Sequence, residues 1–109
     1  MQFKLILAAL KPDYTDDVVE AAKECGVSGA TILSGHGTGI REAKTFLGLT
    51  LDLQTDVVFF LVEEHLVDPV MQAIQQAGQF EKPGSGIAFV LPVEQVAGLK
   101  DDIVRRTPG

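Results

Sequence analysis

The chain contains no tryptophan, no asparagine and a single cysteine in 109 residues. One cysteine, Cys25, excludes an intrachain disulfide and a cysteine-built metal site. Long apolar runs are also missing. None exceeds the length of Val57 to Val62, which is strand length and excludes a conventional transmembrane helix. The N-terminus lacks a signal-like charged and apolar segment with a cleavage site, so a cytoplasmic protein is expected. Bases are scarce: nine against fifteen acids, for a net charge of −6. That balance argues against general nucleic-acid binding, which needs a basic face to displace counterions. Local basic patches remain, with Arg41 beside Lys44 and with Lys100, Arg105 and Arg106 in the tail.

Against these absences stand 46% hydrophobic residues, enough for the core of one domain. The expected division is a folded unit over residues 1–99 and a polar tail over 100–109. Phe3 to Leu10 is apolar apart from Lys4 and reads as a central strand that ends at Lys11-Pro12. Asp13 or Thr15 is placed to cap the next helix, which buries Val18, Val19, Ala22 and Cys25 at helical spacing and stops at Gly26. Ala30 to Ser34 returns as a second strand, and Asp56 to Glu63 is a third. A second helix is predicted from about Leu66 to Ala77, with Pro69 in its first turn and Gly78 at its end. Ile87 to Leu91 is the fourth strand, closed by Pro92, and Val93 to Leu99 is expected to form a helical turn.

This βαββαβ order, with right-handed crossovers, predicts an α+β ferredoxin-like fold: a four-stranded antiparallel sheet with two helices on one face. The strands are apolar on both faces, so the uncovered face needs a cover. In so short a chain that cover is expected to be another copy.

Two glycine turns punctuate the pattern. Gly35-His36-Gly37-Thr38-Gly39 follows the second strand, and Lys82-Pro83-Gly84-Ser85-Gly86 precedes the fourth. Glycine admits positive φ and close approach of a phosphate or another chain. In this fold the two turns can border one cleft, particularly across a subunit boundary. The other chemical candidates are weaker. His36 and His65 lack metal-ligand spacing. Glu63 and Glu64 are an acid pair at a strand end, where adjacent residues point to opposite faces. Cys25 reads as core, and Ser34 and Ser85 are outside any nucleophile-elbow pattern. A small acylphosphatase-like enzyme of this fold would need an arginine at an anion cradle and a side-chain amide to position water. With no asparagine, and with its glutamines read as lying away from both turns, the chain is not expected to be an enzyme.

The strand ending Leu10-Lys11-Pro12, the helix start Asp16-Asp17-Val18 and the segment Gly26-Val27-Ser28-Gly29-Ala30-Thr31 together resemble the P-II nitrogen-regulatory signalling proteins. So do Gly37-x-Gly39 ahead of a long loop and Gly84-x-Gly86 ahead of Ala88-Phe89-Val90. The resemblance runs from about Phe3 to Lys100. It implies a homotrimer with adenine nucleotides (ATP, ADP or AMP) in its inter-subunit clefts and a long loop, about residues 37–55, that grips a transporter or enzyme. Carried onto this sequence, the nucleotide site comprises Thr31, Gly37, Thr38, Gly39, Arg41, Gly84, Ser85, Gly86 and Lys100. The partner-facing loop residues are Arg41, Lys44, Phe46, Leu49 and Leu51.

Several family positions differ. The basic residue after the second glycine of the first turn is Ile40 here, and the glutamine after it is Arg41. The phosphate-binding lysine after the second turn is Ile87. The two C-terminal arginine positions hold Gly98 and Lys100. Each lost charge-assisted contact forfeits about 1.5–3 kcal/mol, so weak ATP binding is expected.

Within the loop, Leu47, Leu49, Leu51 and Leu53 alternate with Gly48, Thr50, Asp52 and Gln54. That period of two predicts that the third strand starts early and pairs with an extended second strand, with Arg41 to Phe46 holding the bend. The leucine face then covers either the trimer's own flank or a partner.

Overall fold

The computed structural model describes residues 2–35 and 54–99, and the backbone alone of residues 45, 46, 49 and 50. Strand β1 (Phe3–Leu10) leads to helix α1 (Pro12–Glu24) and strand β2 (Thr31–Gly35). Two short strands follow, β3 (Thr45–Phe46) and β4 (Leu49–Thr50), then the long strand β5 (Thr55–Glu63). A 3-10 turn (Glu64–Leu66), helix α2 (Val67–Ala77) and strand β6 (Gly86–Pro92) complete the order.

The main sheet runs β2-β5-β1-β6 with every neighbouring pair antiparallel. Each βαβ crossover therefore skips one strand, which is the ferredoxin-like arrangement expected from the element order. Cross-strand partners share a face, so the register sorts the side chains. Ile6 pairs with Phe60 and Val90, and Ala8 with Val58 and Ala88. These columns face the helices. Ile6, Ala8, Leu10, Val58 and Phe60 are fully buried there, together with Val18 and Ala22 of α1 and Val70 and Ile74 of α2. The opposite face carries Leu5, Leu61 and Leu91 in one row and Leu7, Phe59 and Phe89 in the next. No element of the described chain covers it, and Leu33 at its edge is 54% exposed.

Three local expectations change. Helix α1 starts at Pro12, with Lys11 as an N-cap that makes no side-chain bond. Proline at the first helical position has no amide to satisfy, so the predicted caps are not needed, and the Thr15 hydroxyl is used elsewhere. Residues 93–99 form no helix. Helix α2 ends at Ala77 with Gly78 as its C-cap, as expected, and the left-handed residue that follows is Gln79 (φ 53°). Gly78 is required for space: a Cβ there would lie 2.6 Å from the Phe80 ring.

The third change concerns the long loop. Thr45 pairs with Thr50 and Phe46 with Leu49, in a separate two-stranded ribbon. The β2–β5 ladder stops at Gly35 and Thr55. Residues 49 and 50 therefore pair within the loop and not with an extension of β2. Strand periodicity specifies which side chains share a face but leaves the pairing partner open. Residues 47, 48 and 51–53 of the alternating segment and residues 41–44 of the expected bend lie outside the described residues.

Candidate functional site

One end of the sheet gathers the loop roots. Strand β1 finishes at Leu10, which pairs with Asp56 at the start of β5 and with Gly86 at the start of β6. Gly35, the last residue of β2, pairs with Thr55. Both glycine turns therefore depart from the same end. They leave from opposite edges, however, because β5 and β1 stand between β2 and β6. Three inter-strand spacings separate the edges by roughly 14 Å. Within one chain the described roots of the two turns, Gly35 and Gly86, are thus separated by the width of the sheet.

The second turn is closed by its own hydrogen bonds. The Gln79 carbonyl accepts from the Lys82 amide at 3.0 Å and from the Ser85 hydroxyl at 2.6 Å. The Ser85 amide donates to the Lys82 carbonyl at 3.2 Å. Ser85 is only 2% exposed, so both its donors serve the turn and its side chain faces inward. Gln79, read from the sequence as remote, is thus part of this turn. Gly84 takes a left-handed φ of 75°. Gly86 is required for a different reason: a Cβ would meet the Phe80 ring at 2.6 Å and the Ala9 carbonyl at 3.2 Å. The loop is pre-shaped around Phe80, and its exposed surface is formed by Glu81, Lys82 and Pro83.

At the first turn's root lies a polar cluster that sequence reasoning passed over. Asp56 is 8% exposed and sits on the helix side, in the column Asp56, Val58, Phe60, Val62. Its Oδ2 accepts the Thr15 hydroxyl at 2.6 Å, and its Oδ1 accepts the Ser34 hydroxyl at 2.9 Å. A buried carboxylate needs such donors, because its desolvation is otherwise unrecovered. Among the described residues no buried side-chain nitrogen or oxygen lacks a partner. A partial signal was present in the sequence: alternation puts Asp56 on one face with Val58, Phe60 and Val62, although with both faces apolar it does not say which face is the core.

The expected site residues divide accordingly. Thr31 is exposed on β2, paired with Phe59 and so on the open face. Gly84, Ser85 and Gly86 lie at the far edge. Gly37, Thr38, Gly39, Arg41, Lys44, Leu51 and Lys100 lie outside the described residues, as does His36. Phe46 and Leu49 are a paired couple in the β3–β4 ribbon. His65 is exposed in the 3-10 turn, and Cys25 packs half-buried against the core with its sulfur 3.7 Å from the Pro69 carbonyl. Among the described residues no cluster of histidine, cysteine and acidic side chains could hold a metal, and no helix is long and apolar enough to cross a membrane.

Comparison with known proteins decides the family. A family model described as nitrogen regulatory protein P-II matches residues 3–102. The chain belongs to the P-II family. A P-II protein of Azospirillum brasilense is 33% identical over 102 residues, covering 89% of this chain and 91% of the relative. P-II proteins of Rhodospirillum rubrum and Haemophilus influenzae are 31% and 32% identical over the same length, with the same coverage. P-II membership makes this chain a nitrogen regulatory signalling protein and not an enzyme. It also accounts for the ferredoxin-like order of elements around the two glycine turns.

Proposed function

We propose that this P-II protein works as a cytoplasmic homotrimer, senses a small anionic ligand in clefts between subunits, and controls a partner enzyme or transporter through its long loop. The observation that carries the reading is the placement of the two glycine turns. They leave one end of the sheet from opposite edges, beside an apolar face that the described chain does not cover. A second copy on that face would set the first turn of one subunit against the second turn of its neighbour. Thr31, Gly37, Thr38, Gly39 and Arg41 would then contribute from one side, and Gly84, Gly86 and Lys100 from the other. The inward Ser85 acts in this reading as a brace for its turn. Arg41, Lys44, Phe46, Leu49 and Leu51 present the loop to the partner.

The ligand is an adenine nucleotide or another anion of similar size. Ile40, Ile87 and Gly98 replace basic residues of the family, so ATP binds more weakly than in relatives that keep them, by about tenfold or more for each lost contact. Light scattering should give three times the chain mass. Thermal denaturation against ATP, ADP, AMP and small organic acids should show an upward shift for one class, because a ligand held only by the folded state stabilises it. A monomeric mass across micromolar concentrations overturns the assembly. A trimer that no anion stabilises overturns the sensing role and leaves a structural or partner-binding trimer.

A further inference from the structure

The first turn of helix α1 bonds to the segment ahead of β6 on one side and to β5 on the other. On one side the Lys11 amide, at the N-cap, donates to the Ser85 carbonyl at 3.4 Å. On the other side Thr15, one turn further on, donates to Asp56, which also holds Ser34. Lys11 and Thr15 are joined by the helix itself, through the Tyr14 amide bonded to the Lys11 carbonyl at 2.9 Å. A continuous path of hydrogen bonds and helical backbone therefore crosses the sheet end, from Ser34 through Asp56, Thr15 and Lys11 to Ser85.

We infer that the Thr15–Asp56–Ser34 clasp, together with the Lys11–Ser85 bond, makes the start of α1 a coupling bar between the roots of the long loop and the second glycine turn. Three features support this. The clasp ties three elements that are distant in sequence, since Asp56 lies 41 residues from Thr15 and 22 from Ser34. It sits where both loop roots are ordered in the ladder, one rung inside the terminal Gly35–Thr55 pair. It also replaces what would otherwise be an apolar position at the head of the column Val58, Phe60, Val62. An apolar side chain there would pack without directional bonds. A carboxylate with two hydroxyl partners sets the relative position of helix, β2 and β5 by geometry. A displacement of the loop roots must then either break the clasp or carry Thr15, and with it Lys11, along. The bar acts within one chain, so it stands whether or not the inter-subunit ligand site is as proposed above.

The test is amide hydrogen exchange on the intact, ligand-free protein carrying Ser34→Ala, Thr15→Val or both. Ser34 lies at the exposed edge of the sheet, so its variant keeps the core. Ser34→Ala should speed exchange at residues 33–35 and 55–57 by about tenfold, the factor expected for one lost bond to a carboxylate. It should also speed the Lys11 amide, at the far end of the bar, while amides in the middle of β1 keep the wild-type rate. In the double variant the effect on Lys11 should be less than the product of the two single effects, which is the signature of a shared path. Unchanged Lys11 exchange in Ser34→Ala overturns the inference, even where the loop roots loosen. A uniform acceleration across the sheet overturns it as well, because the clasp would then be ordinary stability. Should Thr15→Val fail to fold, Asp56→Asn with Ser34→Ala completes the same cycle.

Discussion

The two faces of the sheet are nearly equal in apolar content and unlike in environment. On the helix side, Phe60 and Ile6 are fully buried by α1 and α2. On the open side, Phe59 and Leu5, their immediate neighbours in β5 and β1, remain partly accessible, and Leu61 and Leu91 are 36% and 40% exposed. A strand that faced solvent would alternate apolar with polar residues, because exposed apolar surface gains nothing from folding. Here both sets are apolar, yet the described residues cover only the helix side. The open face is the surface on which the association proposed above would act.

Mutations should separate the two faces by their dependence on protein concentration. The largest effect is expected from Phe60→Ala. It removes a fully buried ring and should cost about 3–5 kcal/mol in chemical denaturation, equally at every protein concentration. Gly86→Ala should follow, at about 1–3 kcal/mol. Its new methyl would point to the helix side into Phe80 and the Ala9 carbonyl, and the backbone cannot yield as a flexible side chain can. A wild-type midpoint for either variant would show that the helix face is more loosely packed than described.

Leu33→Ser probes the other face. In the dilute chain it should change stability by less than about 1 kcal/mol, since the side chain is already half exposed. The expected change is in light-scattering mass, which should fall at concentrations where the wild type is assembled. An unchanged mass would mean that this edge of the open face is not used. The smallest effect belongs to Glu64→Gln. Its contact with Lys4 is 4.0 Å long and largely solvated, so loss of less than about 0.5 kcal/mol is expected, detectable only in low salt.

Much of the sheet was legible because its strands are unbroken apolar runs of strand length bounded by turn residues. The stripes Val18–Ala22 and Val70–Ile74 follow from helical spacing, whereas the columns Ile6–Phe60 and Leu7–Phe59 needed the register. The loop was less legible. Leu47 to Leu53 alternates as a strand should, yet residues 49 and 50 pair with 45 and 46. A ribbon folded on itself and a ladder with β2 satisfy the same alternation equally well. The start of α1 was misjudged for a similar reason: Asp13 and Thr15 are good caps by residue type, but Pro12 can begin a helix without one.

By itself, then, the sequence determined the order of the four main strands and two helices and the glycines at both turns. It also carried enough of the family's pattern to point to P-II. Those properties are local, or repeat at a period readable over a few residues. The tertiary structure alone decided that Asp56 is shared by Thr15 and Ser34, that Ser85 turns inward to Gln79, and that the two glycine turns stand at opposite edges of one sheet end. The physical reason is that a polar group's partner is selected by strand order and register. Those bring together side chains tens of residues apart, for which neither spacing nor periodicity holds a record.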